Sequence, residues 1–180
     1  MSSKASNKFI WILITFLVVI EQMIKIIINN NYLDYNKPII KPWIYFKPIF
    51  NRDYSWYNSL FQLGIGKWVH IIAVAIIILI GLLIYLFIKK SLGTTKFIDI
   101  TFAFLLSSGV CSLIDKVFWN GSLDYINLRG YFTFDLKDVY INIFIGLIIL
   151  MFIINYKGLR KVDDKKFMKD FLKFILRKNN

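Results

Sequence analysis

Four long apolar segments constrain the fold of this chain more than any other feature of its sequence. They cover approximately residues 9–28, 68–88, 97–114 and 139–154. A helix needs about 20 mostly apolar residues to cross the hydrocarbon layer of a bilayer, and each segment has or approaches that length. Since 57% of the 180 residues are hydrophobic, the sequence predicts a membrane protein, mainly α, with four transmembrane helices.

The distribution of basic residues predicts the orientation of these helices. Lys and Arg lie before the first span, after the second and after the fourth, at Lys4, Lys8, Lys89, Lys90 and throughout 157–169. Because cytoplasmic loops are enriched in Lys and Arg, we expect both termini and the 89–96 loop in the cytoplasm, and segments 31–67 and 115–138 on the outer face. Topology and attraction to anionic lipid then account for the net charge of +12, and no nucleic acid partner is expected.

The segments outside the spans predict smaller elements. Residues 31–67 combine many aromatic residues with all three prolines, a pattern typical of short, twisted strands at the headgroup level. Residues 131–134 are also strand-like, and 163–177 have the spacing of a basic amphipathic helix on the inner leaflet. We therefore expect one four-helix transmembrane domain at 1–160, with a small extracytoplasmic β-rich segment between helices 1 and 2, and a cytoplasmic amphipathic tail at 161–180.

Three aspartates lie near the joining ends of the third and fourth spans. Asp115 ends one span and Asp138 begins the next, so we expect both at similar depth, with Asp124 on the loop between them. Ionisable groups at the edge of the hydrocarbon layer are costly and indicate a functional site. Two carboxylates held close together can share one proton, activate water and protonate a leaving amine, as in aspartic proteases. The alternative is that these aspartates pair with lysines such as Lys116 and Lys137.

Other residues suggest or exclude further chemistry. Glu21 and Lys25 form an i, i+4 pair in the favourable order, and we expect them to be structural. The single His70 has no second histidine or thiolate cluster near it in the sequence, so neither a zinc site nor a Ser/His relay is expected. Ser112 and Lys116 share one helix face, which keeps a Ser/Lys hydrolase open as a hypothesis. A small transporter is a further alternative, although no broken helix indicates a midplane site.

Around these residues the sequence resembles the signal peptidase II family of bacterial lipoprotein signal peptidases, over about residues 15–155. The family's motifs Gly-Asn-x-x-Asp-Arg, Val-Val-Asp-Phe-Ile and Phe-Asn-x-Ala-Asp-x-x-Ile are similar to CSLIDK at 111–116, SLDYI at 122–126 and FDLKDVYI at 134–141. Two upstream motifs, Asp-Gln-x-x-Lys and Asn-x-Gly-Ala-Ala-Phe, are similar to EQMIK at 21–25 and NRDYSW at 51–56.

The resemblance implies an intramembrane aspartic endopeptidase of the bacterial plasma membrane. Asp124 and Asp138 would be its catalytic dyad, and its substrates would be preproteins cut before a diacylglyceryl-modified cysteine. The residues that would support the dyad or contact the substrate are Asn51, Ser112, Asp115, Lys116 and Asp135. Lipidated preproteins and membrane lipid would be its partners, the protein would be a monomer, and no metal or organic cofactor would be required.

The sequence departs from the family inside these motifs. Ser112 stands where the family has Asn, Lys116 where it has Arg, Asp135 where it has Asn and Lys137 where it has Ala; residues 53–55 replace Gly-Ala-Ala. Lysine does not reproduce the fork of arginine, and Asp135 and Lys137 add one charge of each sign beside the dyad. These departures support a second hypothesis, a catalytically silent relative that binds lipoproteins or lipid without cleavage. The separation of the two dyad carboxyl groups distinguishes the hypotheses.

Overall fold

The structure, a computed structural model, describes residues 2–93, 95–157 and 163–176. The elements in chain order are α1 (Ser2–Asn31), β1 (Lys37–Ile40), β2 (Ile44–Asn51), α2 (Trp56–Phe61), α3 (Lys67–Leu92), α4 (Lys96–Ile114), β3 (Ser122–Leu128), β4 (Phe132–Phe134), α5 (Leu136–Ile153) and α6 (Asp164–Ile175). Helix α4 continues into a π-helical turn, Asp115–Trp119. Helices α1, α3, α4 and α5 are long and apolar enough to span a membrane, so the prediction of a mainly α, four-span membrane protein is confirmed.

Helix α4 lies at the centre of the bundle and packs against α1, α3 and α5. Half of its apolar stretch is buried, whereas about a fifth is buried in each of the other three spanning helices. Small residues permit this close packing: a Cβ added to Gly109 would lie 2.7 Å from Cγ1 of Ile78 on α3. The outward faces of α1, α3 and α5 remain apolar and exposed, as lipid-facing surfaces are.

A four-stranded antiparallel sheet, ordered β1-β2-β3-β4, covers one end of the bundle. Strands β1 and β2 come from the segment between α1 and α3, and strands β3 and β4 from the segment between α4 and α5. The sequence predicted strands in the first segment and near 131–134, and the structure adds β3. Ser122, Leu123, Asp124 and Tyr125 of β3 are all buried, so its polar residues do not mark a solvent face as they do in a half-buried strand.

One part of the first outer segment was wrongly predicted as strand. Residues Trp56–Phe61 form the short helix α2, because Ser55 caps it by accepting a hydrogen bond from the backbone N–H of Asn58. The helix exposes the aromatic side chains of Trp56, Tyr57 and Phe61. Helix α2 therefore presents exposed aromatic side chains at the end of the molecule that contains the sheet.

The C-terminal helix α6 is strongly amphipathic, as predicted. Its apolar face packs on Phe87 of α3, with ring centroids 5.1 Å away for Phe167, 5.4 Å for Phe171 and 5.6 Å for Phe174. The predicted boundary between a domain at 1–160 and a tail at 161–180 lies outside the described residues, as does Arg177. The location of α6 on the inner leaflet stays a prediction.

Candidate active site

The acidic residues meet where the helix bundle touches the sheet. Between α4 and β3 the π-helical turn ends at Asn120, in the left-handed region with φ 52°, and Gly121 follows with φ 152°. These two residues reverse the chain so that β3 runs back beside Asp115. A Cβ on Gly121 would lie 2.6 Å from the carbonyl oxygen of Asn51, so only glycine fits where β2 and β3 begin to pair.

The start of α5 holds Asp135 and Asp138 through a reciprocal capping box. Asp135 Oδ1 accepts a hydrogen bond from the N–H of Asp138 at 3.3 Å, and Asp138 Oδ2 accepts one from the N–H of Asp135 at 3.2 Å. The arrangement satisfies two backbone donors that the helix itself leaves free. It also fixes the position of the Asp138 carboxylate relative to the helix axis.

Lys25 is the fully buried cation at the centre of the site. Its Nζ lies 3.1 Å from Glu21 Oε1, 2.6 Å from Asp115 Oδ2 and 2.7 Å from Asp135 Oδ2, and none of these side chains is exposed. Buried charges of this kind are tolerated when they are paired and hydrogen-bonded. The pairing of Glu21 with Lys25 was predicted from their spacing, and the two aspartate partners are additional.

Lys137 is a second buried cation and contacts two of the same carboxylate oxygens as Lys25, Asp115 Oδ2 and Asp135 Oδ2. Its Nζ donates to Ser122 Oγ at 2.7 Å and to Asp135 Oδ2, and it lies 3.2 Å from Asp115 Oδ2 and 3.5 Å from Asp124 Oδ1. Ser122 Oγ lies 2.7 Å from Asp124 Oδ1 and donates to it. Sequence reasoning did not single out Ser122. Its position two residues before Asp124, on the same face of a strand, was the available signal.

Asp124 and Asp138, predicted as a dyad, lie close together. Asp124, Asp135 and Asp138 each offer a carboxylate oxygen, and these oxygens all lie within 4.8 Å of one another. One water forming hydrogen bonds of about 2.7–2.8 Å can join two oxygens at that separation. Asp124 is buried and Asp138 is partly exposed, so the pair lies at the boundary between the protein interior and an open cavity.

The charges around the carboxylates have opposite effects on Asp124 and Asp135. Burial raises the pKa of Asp124, and the Lys137 ammonium opposes that rise only in part. Burial also acts to raise the pKa of Asp135, but Lys137 and Lys25 together hold it below its usual range. Of these two groups, Asp135 is therefore the one that stays ionised more readily.

The three clustered carboxylates have the oxygen donors that a hard cation such as Mg²⁺ or Ca²⁺ prefers. The Lys137 ammonium, however, contacts Asp124 and Asp135 from within the protein. A cation of the chain thus already neutralises part of this cluster. The expectation that no metal is needed stays a prediction.

Ser112, Lys116 and Asn51 line the cavity beside the dyad. Lys116 Nζ donates to Ser112 Oγ at 2.8 Å, so the two residues that share a helix face also form a direct hydrogen bond. Asn51 is opposite Ser122 in the β2–β3 pairing, and its Oδ1 accepts from the N–H of Asp53 at 3.0 Å. All the residues predicted to support the dyad lie in the cavity wall or in the charged network beneath it.

The cavity has a volume of about 910 Å³ and lies beside β4, an edge strand of the sheet. Its remaining wall is largely apolar and aromatic, formed in part by Tyr54, Trp56, Tyr57, Phe132, Phe134 and Ile141. Trp56 on α2 meets Phe132 on β4 edge to face, with ring centroids 6.4 Å apart. An extended peptide and apolar chains fit such a surface better than a compact polar metabolite does.

His70 has a partner that its isolation in the sequence did not indicate. Its Nε2 lies 3.2 Å from Ser55 Oγ, and its Nδ1 lies 3.1 Å from the carbonyl oxygen of Gly66. The Nδ1–H is the donor to that carbonyl, so Nε2 accepts the hydroxyl hydrogen of Ser55. Because Ser55 also caps α2, the contact attaches α2 to the start of α3.

Comparison with known proteins gives a consistent result. A family profile described as Signal peptidase (SPase) II matches residues 13–154. A lipoprotein signal peptidase of Fusobacterium nucleatum is 28% identical over 141 residues, covering 77% of this chain and 82% of that protein. One of Clostridium novyi is 31% identical over 125 residues, covering 67% of this chain and 78% of that protein.

The fold also occurs in solved structures of bacterial membrane enzymes obtained by the in meso method. One, at 2.3 Å resolution, superposes with a TM-score of 0.67 at 20% identity and covers 87% of this chain and 94% of that one. Another, at 1.9 Å resolution, has a TM-score of 0.66 at 22% identity and covers 81% of this chain and 92% of that one. At these identities the likeness concerns the fold.

Proposed function

The chain belongs to the signal peptidase II family, and from this premise we propose that it is an aspartic endopeptidase that removes signal peptides from diacylglyceryl-modified prolipoproteins. The observation that carries the proposal is the approach of the Asp124 and Asp138 carboxylates to within 4.8 Å at the wall of an open cavity. That separation suits one shared water, and the two groups come from different elements that the capping box and the β2–β3 pairing hold in place.

The reaction follows from this pair. One ionised carboxylate accepts a proton from the water, whose oxygen attacks the scissile carbonyl carbon. The other carboxyl group, protonated at the outset, stabilises the developing oxyanion by hydrogen bonding. A proton then passes to the leaving nitrogen, the carbon–nitrogen bond breaks, and the dyad returns to its one-proton state.

The cavity wall suits a substrate with an extended peptide and acyl chains. The dyad lies at the end of spanning helices, where a transmembrane signal peptide ends, and the aromatic side chains of Trp56, Tyr57 and Phe132 provide an apolar surface above it. Aromatic residues of this kind favour the headgroup level. We expect Lys116 and Asn51, which line the cavity, to contact the peptide backbone beside the scissile bond.

The proposal includes an orientation in the bacterial plasma membrane. By the distribution of Lys and Arg, both termini lie in the cytoplasm and the dyad on the outer face. We treat residues 1–160 as one transmembrane domain, acting as a monomer, and 161–180 as a cytoplasmic tail. Secreted precursors reach the outer face during export. In this orientation their cleavage site would lie beside the cavity.

The test compares two precursors in detergent or in liposomes. One carries the diacylglyceryl modification on its cysteine and the other is identical but unmodified. We expect cleavage of the first only, immediately before the modified cysteine, as read by mass spectrometry of both products. Binding of the lipidated precursor without cleavage would instead identify a catalytically silent relative.

The hydrogen bond between Lys116 and Ser112 supports a second candidate, a hydrolase with a serine nucleophile and a lysine base. Its 2.8 Å length is within the range for proton transfer. In that mechanism Ser112 forms an acyl-enzyme, and Asp124 and Asp138 have no chemical role. Trapping of a covalent intermediate on Ser112 by mass spectrometry would favour it over the aspartic mechanism.

A further inference from the structure

We infer that Lys137 is a positioning residue: it keeps Asp124 ionised, as the base of the dyad, and the shared proton therefore stays on Asp138. The inference rests on the proposed aspartic mechanism. It concerns a residue that stands where the family motif has Ala, so it describes a feature of this chain. The distances from Asp124 and from Asp138 to their neighbouring donors support the inference.

On the Asp124 side, one hydroxyl donor and one ammonium group approach the same oxygen. Ser122 Oγ lies 2.7 Å from Asp124 Oδ1, and Lys137 Nζ lies 3.5 Å from the same atom. Lys137 also donates to Ser122 Oγ at 2.7 Å, so the single hydroxyl hydrogen of Ser122 remains available for a carboxylate. Asp124 Oδ1 is nearer to that hydroxyl than Asp115 at 3.1 Å or Asp135 at 3.4 Å. The chain from Lys137 through Ser122 thus stabilises negative charge on Asp124.

On the Asp138 side, the partners are weaker. Its Oδ2 accepts one backbone N–H, that of Asp135, at 3.2 Å. Within residues 2–93, 95–157 and 163–176, no lysine Nζ lies within 4.0 Å of a carboxylate oxygen of Asp138. Lysines do make such contacts with Asp115, Asp124 and Asp135. Lys137 also acts on Asp138 through space, so the two carboxyl groups differ in their direct partners: Asp124 has the Ser122 hydroxyl and an ammonium within 4.0 Å, whereas Asp138 has one backbone N–H. The carboxyl group with fewer direct partners for its negative charge is the one that holds the shared proton.

The remaining charged groups around Asp124 come from α1, from the end of α4 and from the start of α5. They are Glu21 and Lys25 on α1, Asp115 and Lys116 at the end of α4, Asp135 before α5, and Lys137 and Asp138 in its first turn. Burial raises the pKa of Asp124, and among these groups Lys137 opposes that rise most strongly. Removing Lys137 is therefore expected to raise the pKa of Asp124.

Lys137 does not act alone, because Asp135 balances its charge. Asp135 Oδ2 contacts both Lys137 and Lys25, and it stands where the family motif has Asn. The two departures from the motif thus form a contacting pair of opposite charge. Losing both leaves the net charge of the network unchanged, so the double variant is expected to fold more readily than a variant that lacks Lys137 alone.

The test measures kcat/KM against pH for the full-length protein in detergent, with a diacylglyceryl-modified prolipoprotein as substrate. The variants are Lys137→Met, Asp135→Asn and the double variant, and Lys47→Met, at an exposed position on β2, is the matched control. The acid limb of kcat/KM reports the ionisation of the base in the free enzyme. Loss of a contacting cation moves such a limb to higher pH by about one to three units.

We expect the acid limb of Lys137→Met to move to higher pH, that of Asp135→Asn to lower pH, and that of Lys47→Met not to move. If Lys137→Met does not fold, the double variant compared with Asp135→Asn isolates the same change, and its limb must lie at higher pH. A purely structural role would reduce the amount of folded protein without moving the limb. Identical limbs in that comparison overturn the inference.

Infrared spectroscopy gives a readout that does not require cleavage. At a pH where the dyad holds one proton, we expect one protonated carboxyl band from it, which disappears in Asp138→Asn and persists in Asp124→Asn. Disappearance in Asp124→Asn instead would reverse the roles and reject the inference. If the wild-type protein cleaves no lipidated precursor, the proposed function fails, while this band still shows which of the two carboxyl groups holds the proton.

Discussion

Lys25 on the first transmembrane helix lies 2.7 Å from Asp135, which caps the last one, and neither side chain is exposed. The same ammonium contacts Glu21 and Asp115, so one cation joins α1, α4 and α5. Removing one partner of a buried ion pair costs about 3–5 kcal/mol, because the remaining charges lose their compensation. The stability of the bundle and the position of the carboxylates therefore depend on the same atom.

We predict that Lys25→Met destabilises the protein more than Glu21→Gln does. The first change leaves Glu21, Asp115 and Asp135 with one fewer buried cation, whereas the second removes only one of three contacts. The measurement is the fraction of monodisperse protein after heating in detergent, followed by size-exclusion chromatography. Equal losses in the two variants would show that Glu21 is the main partner of Lys25.

Asp124→Asn and Asp138→Asn are each expected to reduce cleavage by about 10²–10⁴-fold, the usual contribution of a general acid or base. Members of one catalytic unit are not additive, so the double variant is expected to be little worse than either single one. Asp34→Asn, at an exposed position before β1, is the matched control. Rates are normalised to folded protein, and full activity in folded Asp124→Asn eliminates the aspartic mechanism.

Ser112→Ala tests the rival serine mechanism. If Ser112 only supports Lys116 through their 2.8 Å hydrogen bond, we expect kcat to remain within about tenfold of the wild type, well short of the loss that removal of a general acid or base produces. A nucleophile cannot be lost without abolishing turnover. Complete inactivity in folded Ser112→Ala, with activity retained in Asp124→Asn, would transfer the chemistry to the serine.

Gly121→Ala is expected to disturb the site through the backbone. Its Cβ would lie 2.6 Å from the carbonyl oxygen of Asn51, so the start of β3 must move away from β2 and take Ser122 and Asp124 with it. Gly146→Ala is the control, because a Cβ there meets no atom within 4 Å. We expect lower activity per folded molecule in Gly121→Ala only, and the same activity in both variants would contradict the importance of this close approach.

Cysteine labelling tests the orientation. Ile40→Cys in β1 and Asn127→Cys in β3, in a Cys111→Ser background, are expected to react with an impermeant maleimide in intact cells, because the sheet lies on the predicted outer face. Ser91→Cys, within the predicted cytoplasmic loop at 89–96, is the matched control and is expected to react only after permeabilisation. The reverse pattern would place the dyad in the cytoplasm.

The spans were predictable because a bilayer imposes a length and a composition that a single sequence displays directly. The pair of Glu21 and Lys25 was predictable for a similar reason, since helical spacing is local. The contacts of Lys25 with Asp115 and Asp135 were not, because they depend on how the helices assemble. Strand β3 was not predicted either, because Ser122 and Asp124 give its buried face a polar character.

The charged network also has a consequence for biosynthesis. Lys25 leaves the ribosome long before its partner Asp115, which is 90 residues further along the chain, and before Asp135. Until then Glu21, one helical turn away, is the counter-ion that accompanies Lys25 into the membrane. Asp138 and Asp135 belong to the start of the last span, so the carboxylates meet only after that span has been made, and an unfinished chain has no assembled carboxylate cluster.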